Sequence, residues 1–155
     1  MLDNNHLKDL ISQYNPEIKF ENLQLEENDL YIKIKNFQIK KPFKIKELFL
    51  VIDNLFYNDK VILANHYVFY PLSRILEDSI SGQKIELTEK ESSLIESLSK
   101  SLKGGLSKDD ILSQVWKYNN ACTHTVETHI YRLRQKISRE LIQTSKDGYY
   151  FIAKV

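Results

Sequence analysis

An α+β chain in two parts is predicted, and three observations predict it. From Thr88 to Arg139 three helical apolar stripes follow one another, each opened by a capping signal. Strand-like runs precede those stripes, and two further β-rich runs close the chain around Lys146-Asp147-Gly148. Residues 1–58 have a separate helix–strand–helix rhythm, set off by the polar break Tyr57-Asn58-Asp59-Lys60. The expected domains are therefore 1–58 and 62–155.

In the first part, Leu7, Leu10, Ile11 and Tyr14 form a helical stripe over residues 3–14 that Pro16 ends. Leu30, Ile32 and Ile34 alternate with Tyr31, Lys33 and Lys35, which predicts a strand with one buried face. Phe37-Gln38-Ile39 is a second short strand. Ile45, Leu48, Phe49, Ile52, Leu55 and Phe56 then mark an amphipathic helix.

In the second part, residues 66–78 and 83–88 read as short strands around a turn at 79–83. Thr88-Glu89-Lys90-Glu91 is a capping box that opens a helix with Leu94, Ile95 and Leu98 inward. Lys103-Gly104-Gly105 is its expected stop. Ser107 caps a second helix, with Asp109 and Asp110 at its positive dipole end and Ile111, Leu112, Val115 and Trp116 inward. After a loop at 117–122, Thr123 or a neighbour caps the third. Asp147-Gly148 predicts a hairpin with a type I′ turn.

The third helix carries the functional signal. At 100° per residue Val126, Ile130, Leu133 and Ile137 share a core-facing sector. Thr128, Tyr131, Arg132, Gln135 and Arg139 lie opposite, with Arg134 and Lys136 on the flanks. Residues 123–139 hold four cations against Glu127, a local +3 in a chain of net +1, so the remainder carries −2. A small cationic patch on a mildly acidic body attracts polyanions locally. Strands, three helices and a hairpin in this order describe a winged helix-turn-helix, whose third helix enters a major groove.

These residues resemble the C-terminal effector domain of OmpR/PhoB-type response regulators. Ile85–Leu98 is similar to the strand and first helix, Leu106–Trp116 to the second helix and its buried tryptophan, and His124–Ile137 to the recognition helix. The wing resembles Ile142–Phe151, with its Gly148-Tyr149 pair. The resemblance implies a sequence-specific double-stranded DNA-binding transcriptional regulator. It places Thr128, Tyr131 and Arg132 at base edges or the groove wall, Arg134 on phosphate, and Thr144 and Lys146 on backbone or minor groove. Thr125, Gln135, Lys136 and Arg139 complete the implied DNA-binding set. Tyr131-Arg132 stands where the family often has paired arginines, which implies a different base preference. By residue type alone, Tyr131 is equally a peripheral packing residue, and His129 either packs or contacts phosphate.

The first part resembles the last strand and helix of a receiver domain, with Lys41-Pro42 at the corner between them. Only forty residues precede Lys41, which leaves no room for a phosphoacceptor and its acidic Mg²⁺ pocket. The resemblance therefore implies phosphorylation-independent action, with Ile45, Leu48, Phe49 and Ile52 pairing two copies into a homodimer.

Other classes are disfavoured. Paired carboxylates, a nucleophile–base set and a phosphate loop are all missing, so neither an enzyme nor a cofactor is expected. Cys122, His124 and His129 lack a fourth ligand, which argues against a metal. One cysteine excludes an intramolecular disulfide, and neither a signal peptide nor a membrane span is legible, so cytoplasmic residence without membrane contact is expected. The alternative is a protein-interaction module, with the winged helix turned to a partner such as RNA polymerase.

Overall fold

The computed structural model describes residues 4–101, 104–117 and 121–153. Lys103 of the expected helix stop and positions 118–120 of the expected loop lie outside them. The chain divides into two compact units: Met1–Lys60 with Tyr70–Ser73, and Val61–Phe69 with Arg74–Val155.

The first unit begins with α1 (Asn4–Tyr14), which buries Leu7 and Ile11, one turn apart. Tyr14 lies outside that core. Its ring stacks on Phe49 at 3.8 Å, and its hydroxyl donates to Asp53 Oδ2 at 2.6 Å. A 3-10 turn, Phe20–Leu23, leads into β1 (Leu25–Glu27), β2 (Tyr31–Ile34) and β3 (Phe37–Lys40), an antiparallel meander in the order β1-β2-β3. Ile32 stands opposite Ile39 and Ile34 opposite Phe37. The strand β1 is absent from the sequence reading, because Leu25-Glu26-Glu27 is too short and acidic to show alternation; pairing with β2 makes it. Leu30, expected on the buried face, is 70% exposed. Asn28 Oδ1 accepts from the amides of Leu30 and Tyr31, both at 2.9 Å, and that turn holds Leu30 outside the strand.

The Lys41–Pro42 peptide is cis, and α2 (Ile45–Asn58) follows it. Leu48 and Ile52 are fully buried with Leu7, Ile11, Leu23, Ile32 and Ile34. This corrects the expected dimer surface. Two of its four residues form the unit's own core, Phe49 is stacked under Tyr14, and Ile45 alone reaches 37% exposure. Leu72 closes the same core: Lys19 N donates to its carbonyl at 2.7 Å, and Asn22 Nδ2 donates to Pro71 O at 2.8 Å. A doubly wound receiver pairs its strands in parallel. Here every strand pair is antiparallel, so the receiver likeness extends no further than the succession of β3 and α2.

The second unit starts with β4 (Val61–Ile62), β5 (Tyr67–Tyr70), β6 (Ile75–Asp78) and β7 (Lys84–Glu86), a sheet in that order. The run expected over 66–78 is thus two strands. Pro71 has no amide hydrogen for a ladder and begins the turn between them. Next comes α3 (Glu89–Lys100), opened by the capping box. Thr88 Oγ1 accepts from Glu91 N at 3.3 Å, and Glu91 Oε2 accepts from Thr88 N at 2.8 Å.

This helix ends at Lys100, before the glycines, so its expected stop is corrected. Gly105 serves a close approach instead. Its φ is +80°, Leu106 and Tyr150 exchange backbone hydrogen bonds beside it, and a Cβ there would stand 2.2 Å from Tyr150 O. Then α4 (Lys108–Ile111), capped by Ser107 with Asp110, continues as a π-helix over Leu112–Trp116. Ile111, Leu112, Val115 and Trp116 are all buried.

The third helix, α5 (Thr123–Lys136), buries Val126, Ile130 and Leu133. β8 (Ile142–Thr144) and β9 (Tyr150–Ile152) pair antiparallel, with Thr144 opposite Tyr150. The hairpin is as predicted but its turn is not type I′. Gly148 N donates to Ser145 O at 3.0 Å, Ser145 N donates to Tyr149 O at 2.8 Å, and Gly148 has φ +82° while Asp147 keeps a negative φ. A tight turn followed by a left-handed glycine gives a five-residue loop. Among the described residues, no helix is long and apolar enough to cross a membrane.

Candidate nucleic-acid interface

The outward face of α5 is built from the helix's own start. Cys122 is its N-cap residue, and its amide donates to Thr125 Oγ1 at 3.2 Å, which occupies Thr125 in holding the first turn. One turn on, the Thr128 hydroxyl donates to His124 O at 2.8 Å. Its proton is spent on the backbone, so Thr128 presents its methyl group and oxygen lone pairs outward. Tyr131, Arg132 and Gln135 are exposed beside it, and the Tyr131 side chain is 63% accessible. None of these three has a hydrogen-bond, ion-pair or ring partner among the described residues. Spacings of three and four residues make Thr128, Tyr131, Arg132 and Gln135 one contiguous patch.

The flanking cations stand elsewhere than the sequence suggests. Arg134 Nε donates to Ile142 O at 2.9 Å, its Nη2 donates to Thr144 Oγ1 at 2.8 Å, and its guanidinium lies 5.8 Å from the centre of the Tyr150 ring. It joins the helix to both wing strands, and Thr144 is occupied with it. Lys136 Nζ is bonded to Glu91 Oε2 at 2.9 Å, tying the last turn of α5 to the first turn of α3. Burial pushes the Glu91 carboxyl up, but the bond from Lys136 and the contacts with Thr88 outweigh it and hold the group below its ordinary value. Arg139 is exposed, but it lies in the turn after α5 and not on the helix. Lys146 is exposed at the tip of the wing. Among the described residues neither Arg139 nor Lys146 has an ion-pair partner.

A second clamp holds the helix start. Glu127 pairs with Lys108 of α4 and with His124 Nδ1 at 3.0 Å. The hydrogen bond from Lys108 keeps the Glu127 carboxyl below the usual range, and the same contact raises Lys108. His129 packs edge-on to Trp116, with ring centres 5.0 Å apart. Burial, with Arg132 and Lys90 nearby, pushes its pKa below 6.5, so the neutral ring is favoured. The packing role, rather than a phosphate contact, is the one this geometry supports.

Glu91 and Lys108 were not legible as parts of this site. Their partners lie 45 and 19 residues away, and only the chain's closure brings them within reach. Of the four cations counted in residues 123–139, Arg132 is the one on the helix itself without a partner among the described residues. Among the described residues, no group of three His, Cys, Asp or Glu side chains could hold a metal ion.

A sheet, three helices with the last exposing a polar-aromatic stripe, and a hairpin beside it define a winged helix-turn-helix domain. Residues 82–151 match the family model described as transcriptional regulatory protein, C terminal, and form an OmpR/PhoB-type domain of that family. The chain is similar to the transcriptional regulatory protein VxrB of Vibrio cholerae serotype O1, 32% identical over 123 residues, covering 74% of this chain and 49% of the relative. It is also similar to the response regulator SaeR of Staphylococcus aureus, 29% identical over 115 residues, 68% of this chain and 50% of the relative. The chain spans about half the length of the curated relatives it matches. Among solved structures, the Klebsiella pneumoniae RstA DNA-binding domain, in complex with RstA box, superposes with a TM-score of 0.51 at 17% identity, covering 61% of this chain and 96% of that one. At that identity the likeness establishes the fold alone.

Proposed function

We propose that this chain is a sequence-specific double-stranded DNA-binding transcriptional regulator that lays α5 in the major groove. The observation that carries the reading is the exposed patch of Thr128, Tyr131, Arg132 and Gln135 on the third helix of an OmpR/PhoB-type domain, the last three without a partner among the described residues. The free Arg132 guanidinium suits bidentate contact with a guanine, while Lys146 and Arg139 suit phosphates on either side. With Arg134 and Lys136 occupied internally, few phosphate contacts remain. The salt slope of log K against log[salt] is therefore expected to be shallow, about −2 to −3.

Fluorescence polarisation against a selected duplex tests this. Arg132→Ala should weaken binding by roughly 1–3 kcal/mol and relax preference at one base pair. Indistinguishable binding by the variant would remove α5 from the interface. A protein-interaction role is favoured by one observation, the scarcity of free cations on α5. Absence of any salt-dependent DNA binding would select it.

Action without phosphorylation is part of the proposal. An antiparallel unit offers no row of parallel strand ends around which an acidic Mg²⁺ pocket could gather. Acetyl phosphate should leave the affinity unchanged; a shift would overturn that part. Two copies on neighbouring half-sites are also proposed, with the pairing surface outside Leu48 and Ile52. A single protected half-site in footprinting would count against them.

A further inference from the structure

We propose that Thr128 and Tyr131 together read thymine 5-methyl groups, so that the half-site places thymine beside the base pair contacted by Arg132. The inference rests on the DNA-binding reading above and adds the base chemistry. It begins with what the patch can offer. A side chain that reads guanine O6 or a purine N7 needs a free donor, and Thr128 has none, since its hydroxyl hydrogen is held by His124 O at 2.8 Å. Its outward chemistry is therefore that of a methyl group beside oxygen lone pairs, which donates nothing. Tyr131 lies one helical turn further along, 63% exposed, with no ring stacked on it and no bond to its hydroxyl among the described residues.

A ring left so far in water gains when apolar surface covers it. In the major groove, the apolar group that a base edge presents is the thymine methyl. Arg132 is adjacent, exposed and unpaired among the described residues, so a base contact made by its guanidinium also brings this apolar pair to the groove floor. Lys146 at the wing tip adds charge of the same sign. The patch thus matches a polyanion with methyl groups in its groove better than it matches a guanine-rich one. Gln135, three residues beyond Arg132, is free for the adenine that follows from a thymine on the opposite strand.

The test starts from duplexes enriched by the full chain from a random-sequence library. In the best enriched duplex each thymine is replaced singly by deoxyuridine, which removes the methyl and keeps every hydrogen bond. At one or two positions the replacement should weaken wild-type binding roughly fourfold, the worth of one buried methyl-sized group. The penalty should shrink in Tyr131→Ala, whereas Tyr131→Phe should keep both the affinity and the full uridine penalty. Tight binding that is indifferent to uridine everywhere overturns the proposal. So does a Tyr131→Ala variant that keeps the full uridine penalty, which would assign the methyl contact to another side chain. A library from which nothing is enriched overturns the DNA-binding reading itself, and this inference with it.

Discussion

Replacing Arg134 separates a wing brace from a phosphate contact. The side chain donates two hydrogen bonds, to Ile142 O at 2.9 Å and Thr144 Oγ1 at 2.8 Å, and lies over Tyr150. Ile142 is fully buried, so Arg134→Ala strands an acceptor at the edge of the core. A hydrogen bond from a charged group is worth about 1.5–3 kcal/mol, and a contact of this kind with a ring about 0.5–1 kcal/mol. The Thr144 end is solvent-exposed, which discounts its share. A net loss of about 1–2 kcal/mol is expected.

Trp116 is the chain's one tryptophan and is buried in the second unit, so its fluorescence follows unfolding of that unit. At about 4–8 °C per kcal/mol for a unit of this size, the midpoint should fall by roughly 4–16 °C. Arg134→Lys keeps the charge but not the two-pronged donor, and should recover less than half of the loss. The salt slope for DNA should stay unchanged in both variants. A variant of wild-type stability whose slope falls by about one would refute the brace and restore Arg134 to the phosphates.

Three further outcomes follow from the same geometry. Gly105→Ala should cost about 2 kcal/mol or more on chemical denaturation read by Trp116, because the added carbon meets Tyr150 O and the residue must hold a positive φ. His129 has its folded pKa depressed, so its contribution to stability is complete above about 6.5, the unfolded value, and is lost as the pH falls through the folded value. Stability should therefore decline as the pH falls below about 6.5, and His129→Phe should flatten that decline; Glu91 and Glu127 act only at lower pH. Leu48→Ala should destabilise the first unit by about 2–5 kcal/mol by tyrosine near-UV circular dichroism, while sedimentation shows an unaltered oligomeric state.

Much of the second unit was legible because its signals are local. The Thr88 capping box, the Ser107 cap, the inward stripe of Val126, Ile130 and Leu133, and the glycine hairpin are patterns within four residues of one another. Periodicity reports which face of an element is apolar, whatever the element later packs against. The first unit was read less well for the same reason. Leu25-Glu26-Glu27 becomes a strand through a neighbour, and Leu30 is excluded from one by an asparagine two residues earlier. Pro71 and Leu72 sit in the text of the second unit, yet Leu72 completes the core of the first.

The candidate interface divides along the same line. By itself the sequence determined that α5 exists, which of its faces is wet, and that Thr128, Tyr131, Arg132 and Gln135 share that face, since a 3.6-residue repeat settles all three. Only the tertiary structure decided which cations are left for a partner. Long basic side chains reach several ångströms from the helix, and what they meet depends on elements brought alongside by folding. That reach commits Arg134 to the wing and Lys136 to the cap of α3, while Arg132, exposed on the outward face, has no partner among the described residues.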